Sequence, residues 1–211
     1  PYYTPRLEEI YKERNIPVDM NCRLKAIDTS AKKAYFERVE TDAEGNKVVT
    51  PFSDDYDFMH FMVPQCAPDF VRESGLSWTE GSLAADGWAM VDKHSLIHLT
   101  YNNIISFGDC AGIPTSKTSA AIRKQLPIAV DNLISLMEGR APEAQYNGYA
   151  ACPIVTDYGH VLMAEFDYEK KAQISFPLSL LDMSKEQWVA WLLKVYALKP
   201  IYFNLMLKGL Y

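Results

Sequence analysis

Cysteine and histidine are both scarce in this sequence, with four residues of each among 211. So few cysteines exclude a small disulfide-stapled scaffold, and no two of them have C-x-x-C spacing. The four histidines fit no zinc-ligand spacing. The sequence therefore predicts no metal site.

Long apolar runs and basic stretches are also absent. No stretch of about 18 uncharged apolar residues occurs, so no segment is expected to span a bilayer as a helix. The net charge of −6 argues against a nucleic-acid partner. The first residues lack the pattern of a signal peptide, and a reducing, cytoplasm-facing location is the resulting expectation.

What the sequence does contain is the composition of an ordinary folded protein, 48 % hydrophobic and 23 % charged. At this length it can bury one substantial core or two modest ones. Helical spacing predicts a first helix around Leu7, and residues 16–20 are typical of a short strand. Residues 23–28 and 33–39 have strand character, and the polar residues 42–47 predict a turn.

Two further apolar runs predict strands. Residues 57–63 form a nearly continuous apolar run, which is typical of a strand buried on both faces of a parallel sheet. Residues 103–107 give a second strand signal and lead directly into Gly108 and Asp109. A helical pattern then covers residues 118–137. Strand, Gly-Asp turn and helix, in this order, predict an α/β nucleotide-binding unit.

The Gly-Asp turn is the most informative local feature. A carboxylate at Asp109, between strand and helix, is placed to accept hydrogen bonds from sugar hydroxyls, although a Gly-Asp turn is also common in purely structural positions. Lys117 follows, with Thr115 or Ser116 as the expected helix N-cap. This cation would stabilise negative charge on a ligand, or else it is a solvated surface lysine.

The four cysteines have different surroundings. Cys22 lies in a strand-like segment and is expected to be a small core residue. Cys110 follows the Gly-Asp turn and is expected to be buried, whereas Cys66 lies between prolines, in an exposed loop without a visible role. Cys152 is expected on a constrained loop, where either a structural or a reactive role is open.

The last residues are rich in aromatic and cationic side chains and predict helices. A helix pair lying in the membrane interface would suit them, and so would a helical hairpin packed on the protein's own core. The aromatic positions are Trp188, Trp191, Tyr196, Tyr202, Phe203 and Tyr211, and the lysines are Lys185, Lys194, Lys199 and Lys208.

Three residue blocks together resemble the sulfide:quinone oxidoreductases, members of the FAD-dependent pyridine nucleotide-disulfide oxidoreductase superfamily. The blocks are GDCAGIPTSKT at residues 108–118, YNGYAACPIVT at 146–156 and AEFDY at 164–168. Residues 200–209 also resemble the family's membrane-binding C-terminus. The resemblance implies an α/β fold, namely part of a flavoprotein with two Rossmann-like dinucleotide-binding domains, followed by an α-helical amphipathic C-terminal region.

The resemblance also implies an FAD enzyme, peripheral on the cytoplasmic face of a membrane. In that family sulfide attacks a redox cysteine bridge beside the flavin, and a membrane quinone removes the electrons. Cys152 matches the second cysteine of the pair, and Lys117 matches the lysine beside the flavin and quinone. Tyr202 and Phe203 match the quinone pocket more weakly. The implied cofactor-binding residues are Gly108, Asp109, Pro114, Thr115, Lys117 and Thr118.

One absence limits this interpretation. The family begins with a G-x-G-x-x-G turn that cradles the FAD pyrophosphate, and no such motif occurs here. The partner of Cys152 is also missing and should precede residue 1. The sequence is therefore expected to be the C-terminal half of such an enzyme, inactive alone. Residues 1–85 would be the latter part of the second dinucleotide domain, 86–140 the returning FAD domain and 141–211 the C-terminal domain.

Two alternatives remain at this stage. One is a related membrane flavoprotein such as a type-II NADH dehydrogenase, which needs no cysteine at position 152. The other is a non-catalytic module that docks on a membrane or forms a homo-oligomer, because apolar surface normally covered by the missing half would need burial.

Overall fold

The computed structural model describes residues 2–210 and divides into two compact units. Residues Glu8–Pro64 form the N-terminal unit. The residues up to Leu7, together with those from Gln65 onwards, form the C-terminal unit. Helix α1 (Thr4–Glu13) begins in one unit and ends in the other, and it confirms the first predicted helix.

The N-terminal unit contains one antiparallel sheet of three strands in the order β1-β2-β3. Its strands are β1 (Cys22–Asp28), β2 (Lys33–Thr41) and β3 (Lys47–Asp55). The predicted turn between β2 and β3 is confirmed, because the Asp42 carboxylate accepts hydrogen bonds from the backbone of Glu44 and Asn46.

Two strand predictions in this unit are wrong. Residues 16–20 and 57–63 belong to no strand, and the second run is largely exposed, with Phe58 and Met62 at 88 % and 79 % exposure. A strand needs a neighbour for its backbone hydrogen bonds. Among the described residues, none pairs with either segment.

The C-terminal unit contains the longest helix, α3 (Ser119–Met137), and a two-stranded antiparallel sheet. The predicted helix over residues 118–137 is thus confirmed, but its N-cap is Thr118 rather than Thr115 or Ser116, since the Thr118 hydroxyl accepts from the Ala121 backbone N–H. The sheet consists of β4 (Ala150–Asp157) and β5 (His160–Phe166). A short helix, α2 (Asp69–Glu73), precedes them.

The strand expected at residues 103–107 is reduced to single bridges. Ile105 pairs with Ile97 over one residue, and Ala89 makes a single parallel bridge to Ala111. The protein is therefore mixed α/β with small antiparallel sheets. A dinucleotide-binding fold stays a prediction.

The C-terminal segment is helical, as predicted. It consists of α4 (Trp188–Leu192), a π-helical turn over Leu193–Ala197 and α5 (Leu198–Asn204). Among residues 2–210, no helix combines the length and the apolar character needed to cross a membrane.

The first residues of the chain are fastened to β5 and to the segment before α4. The Tyr3 hydroxyl donates to the Glu165 carbonyl at 3.1 Å and accepts from the Glu165 N–H at 3.0 Å. The Arg6 guanidinium binds both carboxylate oxygens of Glu186, at 2.7 and 3.0 Å. The C-terminal unit is therefore stabilised by hydrogen bonds between segments that lie far apart in the sequence.

Candidate functional site

The Gly-Asp turn is a single 3₁₀ turn over Gly108–Cys110. Gly108 has φ +70, which favours glycine, and its N–H donates to the side-chain oxygen of the buried Gln125 at 2.8 Å. Gln125 of helix α3 therefore fixes the position of the turn. The Asp109 side chain is exposed, so its carboxylate is available to a ligand.

A second glycine allows close packing beside this turn. The Gly112 N–H donates to the Ala89 carbonyl at 2.9 Å, and the Trp78 indole N–H donates to the Gly112 carbonyl at 3.3 Å. A Cβ atom on Gly112 would lie 2.3 Å from the Trp78 indole nitrogen. Only glycine fits here without displacing the indole.

Lys117 is not a solvated surface lysine. Its ammonium donates to the Ala111 carbonyl at 2.7 Å and lies 4.1 Å from the centre of the Trp88 ring. Burial lowers the pKa of this ammonium, and the Asp109 carboxylate partly opposes that shift. The segment from Asp109 to Lys117 therefore offers an exposed acceptor and a half-buried cation. The sequence did not predict Trp88 as a site residue, because no local motif or spacing indicates its contact with Lys117.

The remaining predicted cofactor residues have structural partners. The Thr115 hydroxyl donates to the Gly148 carbonyl at 2.9 Å, and the Thr118 hydroxyl caps helix α3. Pro114, directly before Thr115, is exposed. Both hydroxyls therefore already make hydrogen bonds within the protein.

Cys152 lies in strand β4 rather than on a loop, opposite Ala164 of β5, and it is exposed. The loop prediction failed because Pro153 directly follows, although this proline is accommodated within the hairpin. All four cysteines are free thiols, so none of them supplies a disulfide partner for Cys152. Cys66 is exposed, as predicted, and Cys110 is half-buried.

A buried polar cluster lies on the other face of the β4–β5 hairpin and was not predicted. Glu165 is 2 % exposed, and one of its carboxylate oxygens accepts from the Tyr149 hydroxyl at 2.7 Å and from the Ser175 hydroxyl at 2.6 Å. The Ser175 N–H donates to the same oxygen at 3.1 Å. Burial, with a contribution from Glu165, raises the pKa of Tyr149 to about 12. In the sequence, the signal for this cluster was a glutamate within the apolar run of β5.

The expected quinone residues lie on α5. The rings of Tyr202 and Phe203 are 5.1 Å apart and both are exposed. Three other aromatic rings contact one another in sequence. The ring centre of Tyr158, in the β4–β5 turn, lies 5.0 Å from that of Trp191 on α4. The ring centre of Trp191 lies 5.9 Å from that of Tyr196 in the π-helical turn. The structure thus presents aromatic side chains at the surface of the C-terminal segment.

The residues around the Gly-Asp turn fit a flavin in part. An exposed carboxylate suits ribityl hydroxyls, and a half-buried cation suits the pyrimidine edge of the ring. A phosphate cradle is not among them, because the sequence has no G-x-G-x-x-G turn. No cluster of three or more potential metal ligands occurs within residues 2–210.

No family model matches the sequence. Curated relatives do match: the mitochondrial sulfide:quinone oxidoreductase of Mus musculus is 35 % identical over 207 residues, 98 % of this chain and 43 % of the mouse protein. The Dictyostelium discoideum protein of the same name is 36 % identical, over 98 % of this chain and 42 % of that protein. The Schizosaccharomyces pombe protein is 34 % identical, over 77 % of this chain and 33 % of that protein. The expected family resemblance is confirmed, and the chain spans about two-fifths of the mouse and Dictyostelium proteins.

The fold also resembles a solved structure. A chain of the cryo-EM structure of the Tetrahymena thermophila mitochondrial ATP synthase (F1Fo composite tetramer) superposes with a TM-score of 0.69. The two chains are 23 % identical, and the match covers 94 % of this chain and 44 % of that one. This likeness concerns the fold alone.

Proposed function

Because the chain belongs to the sulfide:quinone oxidoreductase family, we propose that it forms the C-terminal part of an FAD-dependent enzyme that oxidises sulfide and reduces quinone. The observation that carries this proposal is the half-buried Lys117 ammonium, held by the Ala111 carbonyl and the Trp88 ring shortly after the exposed Asp109. It occurs in a chain that matches the mouse relative over 98 % of its length. We propose no turnover for the chain alone, since the pyrophosphate-binding turn and a partner for Cys152 are missing from it.

FAD, when bound, would supply the two-electron step between thiolate and quinone. Asp109 would accept hydrogen bonds from the ribityl chain. Lys117 would hold positive charge beside the pyrimidine edge, since it is already partly desolvated and positioned by Ala111 and Trp88. A ligand at this position would compete with the Ala111 carbonyl for hydrogen bonds from the Lys117 ammonium.

Cys152 would act as one member of the redox pair. Its exposure on β4 leaves its sulfur open to attack, and thiol–disulfide exchange requires such access. Hydrosulfide would attack the bridge between Cys152 and its partner, forming a persulfide on one sulfur and releasing the other as a thiolate. The buried Tyr149–Glu165–Ser175 cluster fixes the hairpin that carries Cys152.

The membrane-docking role of the C-terminal segment is part of the same proposal. Exposed aromatic residues on α5 and nearby lysines suit the lipid interface, where a quinone would enter. The three relatives are named as mitochondrial, which supports a mitochondrial membrane; peripheral attachment and the cytoplasmic face stay predictions. A purely membrane-docking module is the second candidate, favoured by the same exposed aromatics. No described residue favours a type-II NADH dehydrogenase.

The first experiment measures FAD binding by the quenching of tryptophan fluorescence. Trp88 lies beside Lys117, so a flavin bound there should quench it, and we expect weak saturable binding. Asp109→Asn should weaken binding at least fivefold, and Asp131→Asn, at a distant position on α3, should not. Equal affinities for both variants, or no saturation at all, would contradict the proposed flavin site.

The second experiment measures co-sedimentation with vesicles of neutral and anionic phospholipids. We expect binding that increases with anionic lipid and falls when Tyr202 and Phe203 are both replaced by Ser. The same double replacement at the exposed Val48 and Val49 of β3 is the matched control. Unchanged sedimentation of the α5 variant would remove the membrane assignment while leaving the flavin site in place.

A further inference from the structure

The two residues directly before β4 are each held through their carbonyl oxygens by a hydroxyl group. The Gly148 carbonyl accepts a hydrogen bond from the Thr115 hydroxyl at 2.9 Å. The Tyr149 carbonyl accepts one from the hydroxyl of Tyr146, a residue that is 2 % exposed. Two hydroxyl groups therefore fix the point at which β4 begins.

Gly148 itself has little freedom to move. Its φ of +88 lies in the region that favours glycine. A Cβ atom at this position would lie 2.2 Å from the Tyr168 ring, so the backbone passes directly against that ring. The Tyr168 N–H also donates to the Asn147 carbonyl at 3.1 Å. The Thr115 hydroxyl therefore binds a carbonyl that is held in one position.

Both hydrogen-bond donors of Thr115 are used within the protein. Its N–H donates to the Ile113 carbonyl at 2.9 Å, and its hydroxyl donates to the Gly148 carbonyl. A threonine side chain has a single O–H donor. To donate to a cofactor oxygen, the side chain would have to break its bond to Gly148. The family resemblance implies that Thr115 binds the cofactor, whereas these contacts give its hydroxyl a different partner.

We propose that Thr115 is a positioning residue, whose hydroxyl fixes the strand that carries Cys152 relative to the loop that carries Lys117. This role rests on the proposed function, in which the Cys152 sulfur reacts beside the flavin. Reacting atoms must come within about 3–3.5 Å of each other in a defined orientation. Along the chain, Lys117 and Cys152 are separated by the whole of helix α3. The hydrogen bond from Thr115 to Gly148 joins their two segments directly.

The test follows a fluorine label on the Cys152 sulfur by fluorine NMR. Cys66→Ser removes the other exposed thiol, bromotrifluoroacetone alkylates Cys152, and the resonance is assigned by its loss in Cys152→Ser. Thr115→Val removes the hydroxyl and nearly preserves the shape of the side chain. We expect a shifted or second resonance in Thr115→Val, because the strand is no longer held in one position. Thr115→Ser keeps the hydroxyl and should restore the wild-type resonance.

Amide hydrogen exchange measures the size of the effect. One hydrogen bond contributes about fivefold to a local opening equilibrium, so exchange over residues 146–152 should be about fivefold faster in Thr115→Val. Thr156→Val is the matched control, because it removes a hydroxyl that donates to the His160 carbonyl at 3.3 Å within the β4–β5 hairpin. It should change neither the resonance nor this exchange. Equal changes in both variants would indicate a general loosening of the hairpin and would overturn the proposal.

Circular dichroism establishes that each variant is folded. Thr115→Ala is the second variant, since it removes the hydroxyl without placing a methyl group where the hydroxyl was. It should change the resonance in the same way as Thr115→Val. An unchanged resonance in either folded variant would overturn the proposal.

FAD titration separates this proposal from the proposed function. Thr115→Val should bind FAD nearly as tightly as the wild type, because the hydroxyl is not a ligand. A loss of affinity as large as that of Asp109→Asn, with an unchanged resonance, would make Thr115 a flavin ligand and overturn the proposal. No saturable binding by the wild type would contradict the flavin site instead. The resonances of the Thr115 variants, measured without flavin, would still decide the role of Thr115.

Discussion

The buried cluster beneath the β4–β5 hairpin gives the sharpest stability prediction. Tyr149→Phe removes one hydroxyl from an otherwise unchanged ring. The lost hydrogen bond, 2.7 Å long, runs to a Glu165 oxygen in a residue that is only 2 % exposed. Two donors from Ser175 remain, so the carboxylate stays partly satisfied.

The expected cost follows from the charge and the burial. A hydrogen bond to a charged group contributes about 1.5–3 kcal/mol, and we expect Tyr149→Phe to lower the free energy of unfolding by about 2 kcal/mol. For a protein of this size that corresponds to a Tm lower by about 4–8 °C.

The same hydroxyl makes this effect depend on pH. Burial raises the pKa of Tyr149 from its ordinary value of 10.0 to about 12. A raised folded-state pKa stabilises the protein fully below pH 10, and this contribution is lost as the pH rises from 10 towards 12. Two pKa units correspond to about 2.7 kcal/mol. Wild type should therefore lose stability over this range faster than Tyr149→Phe.

Urea unfolding followed by tryptophan fluorescence measures this directly, because all four tryptophans lie in the C-terminal unit. Tyr158→Phe, at an 84 % exposed tyrosine of the same hairpin, is the matched control and should change stability by less than about 0.5 kcal/mol. A Tyr149→Phe variant as stable as this control would refute the assignment of the cluster as a stabilising network.

Three further changes should lower the urea midpoint. Arg6→Gln removes the paired hydrogen bonds to Glu186 and should cost about 1–3 kcal/mol; because Arg6 lowers the pKa of Glu186, this stability is present at neutral pH and is lost as the pH falls through that pKa. Gly148→Ala would place a Cβ atom 2.2 Å from the Tyr168 ring at φ +88 and should cost about 2–4 kcal/mol. Thr118→Ala removes the N-cap of α3 and should cost about 1 kcal/mol.

Each of these changes has a control. Arg38→Gln breaks an exposed pair with Asp19 and should lower the urea midpoint far less than Arg6→Gln, because solvent screens exposed ion pairs. Gly139→Ala has a similar φ of +70 but open space, so a loss equal to that of Gly148→Ala would show that the Tyr168 contact is irrelevant. Thr118→Ser keeps the capping hydroxyl, and a Ser variant as unstable as Thr118→Ala would contradict the capping role.

Local patterns in the sequence predicted the local elements well. Helix α3 follows from its 3.6-residue periodicity, and the β2–β3 hairpin follows from the polar turn at Asp42. The family also followed from residue blocks, because the Gly-Asp turn and the strand carrying Glu165 stand in a specific order. These features depend on neighbours along the chain, which a sequence displays directly.

Contacts between distant residues could not be predicted in this way. Residues 57–63 carry a strand pattern, but their strand requires partners that the described chain does not provide. Trp88 and Lys117 meet across 29 positions, and no local spacing marks the contact. Glu165 was visible as a polar residue in an apolar strand, yet its role depends on Tyr149 and Ser175 arriving from two other segments.

The fastening of the first residues to β5 has a consequence for the order of folding. Tyr3 and Arg6 bind residues that lie 162 and 180 positions later in the sequence, so these contacts form only after Glu165 and Glu186 have been synthesised. The three-stranded sheet of the N-terminal unit pairs neighbours in sequence and can form first. The C-terminal unit therefore closes after the N-terminal sheet has been able to form, once β5 and Glu186 are available to Tyr3 and Arg6.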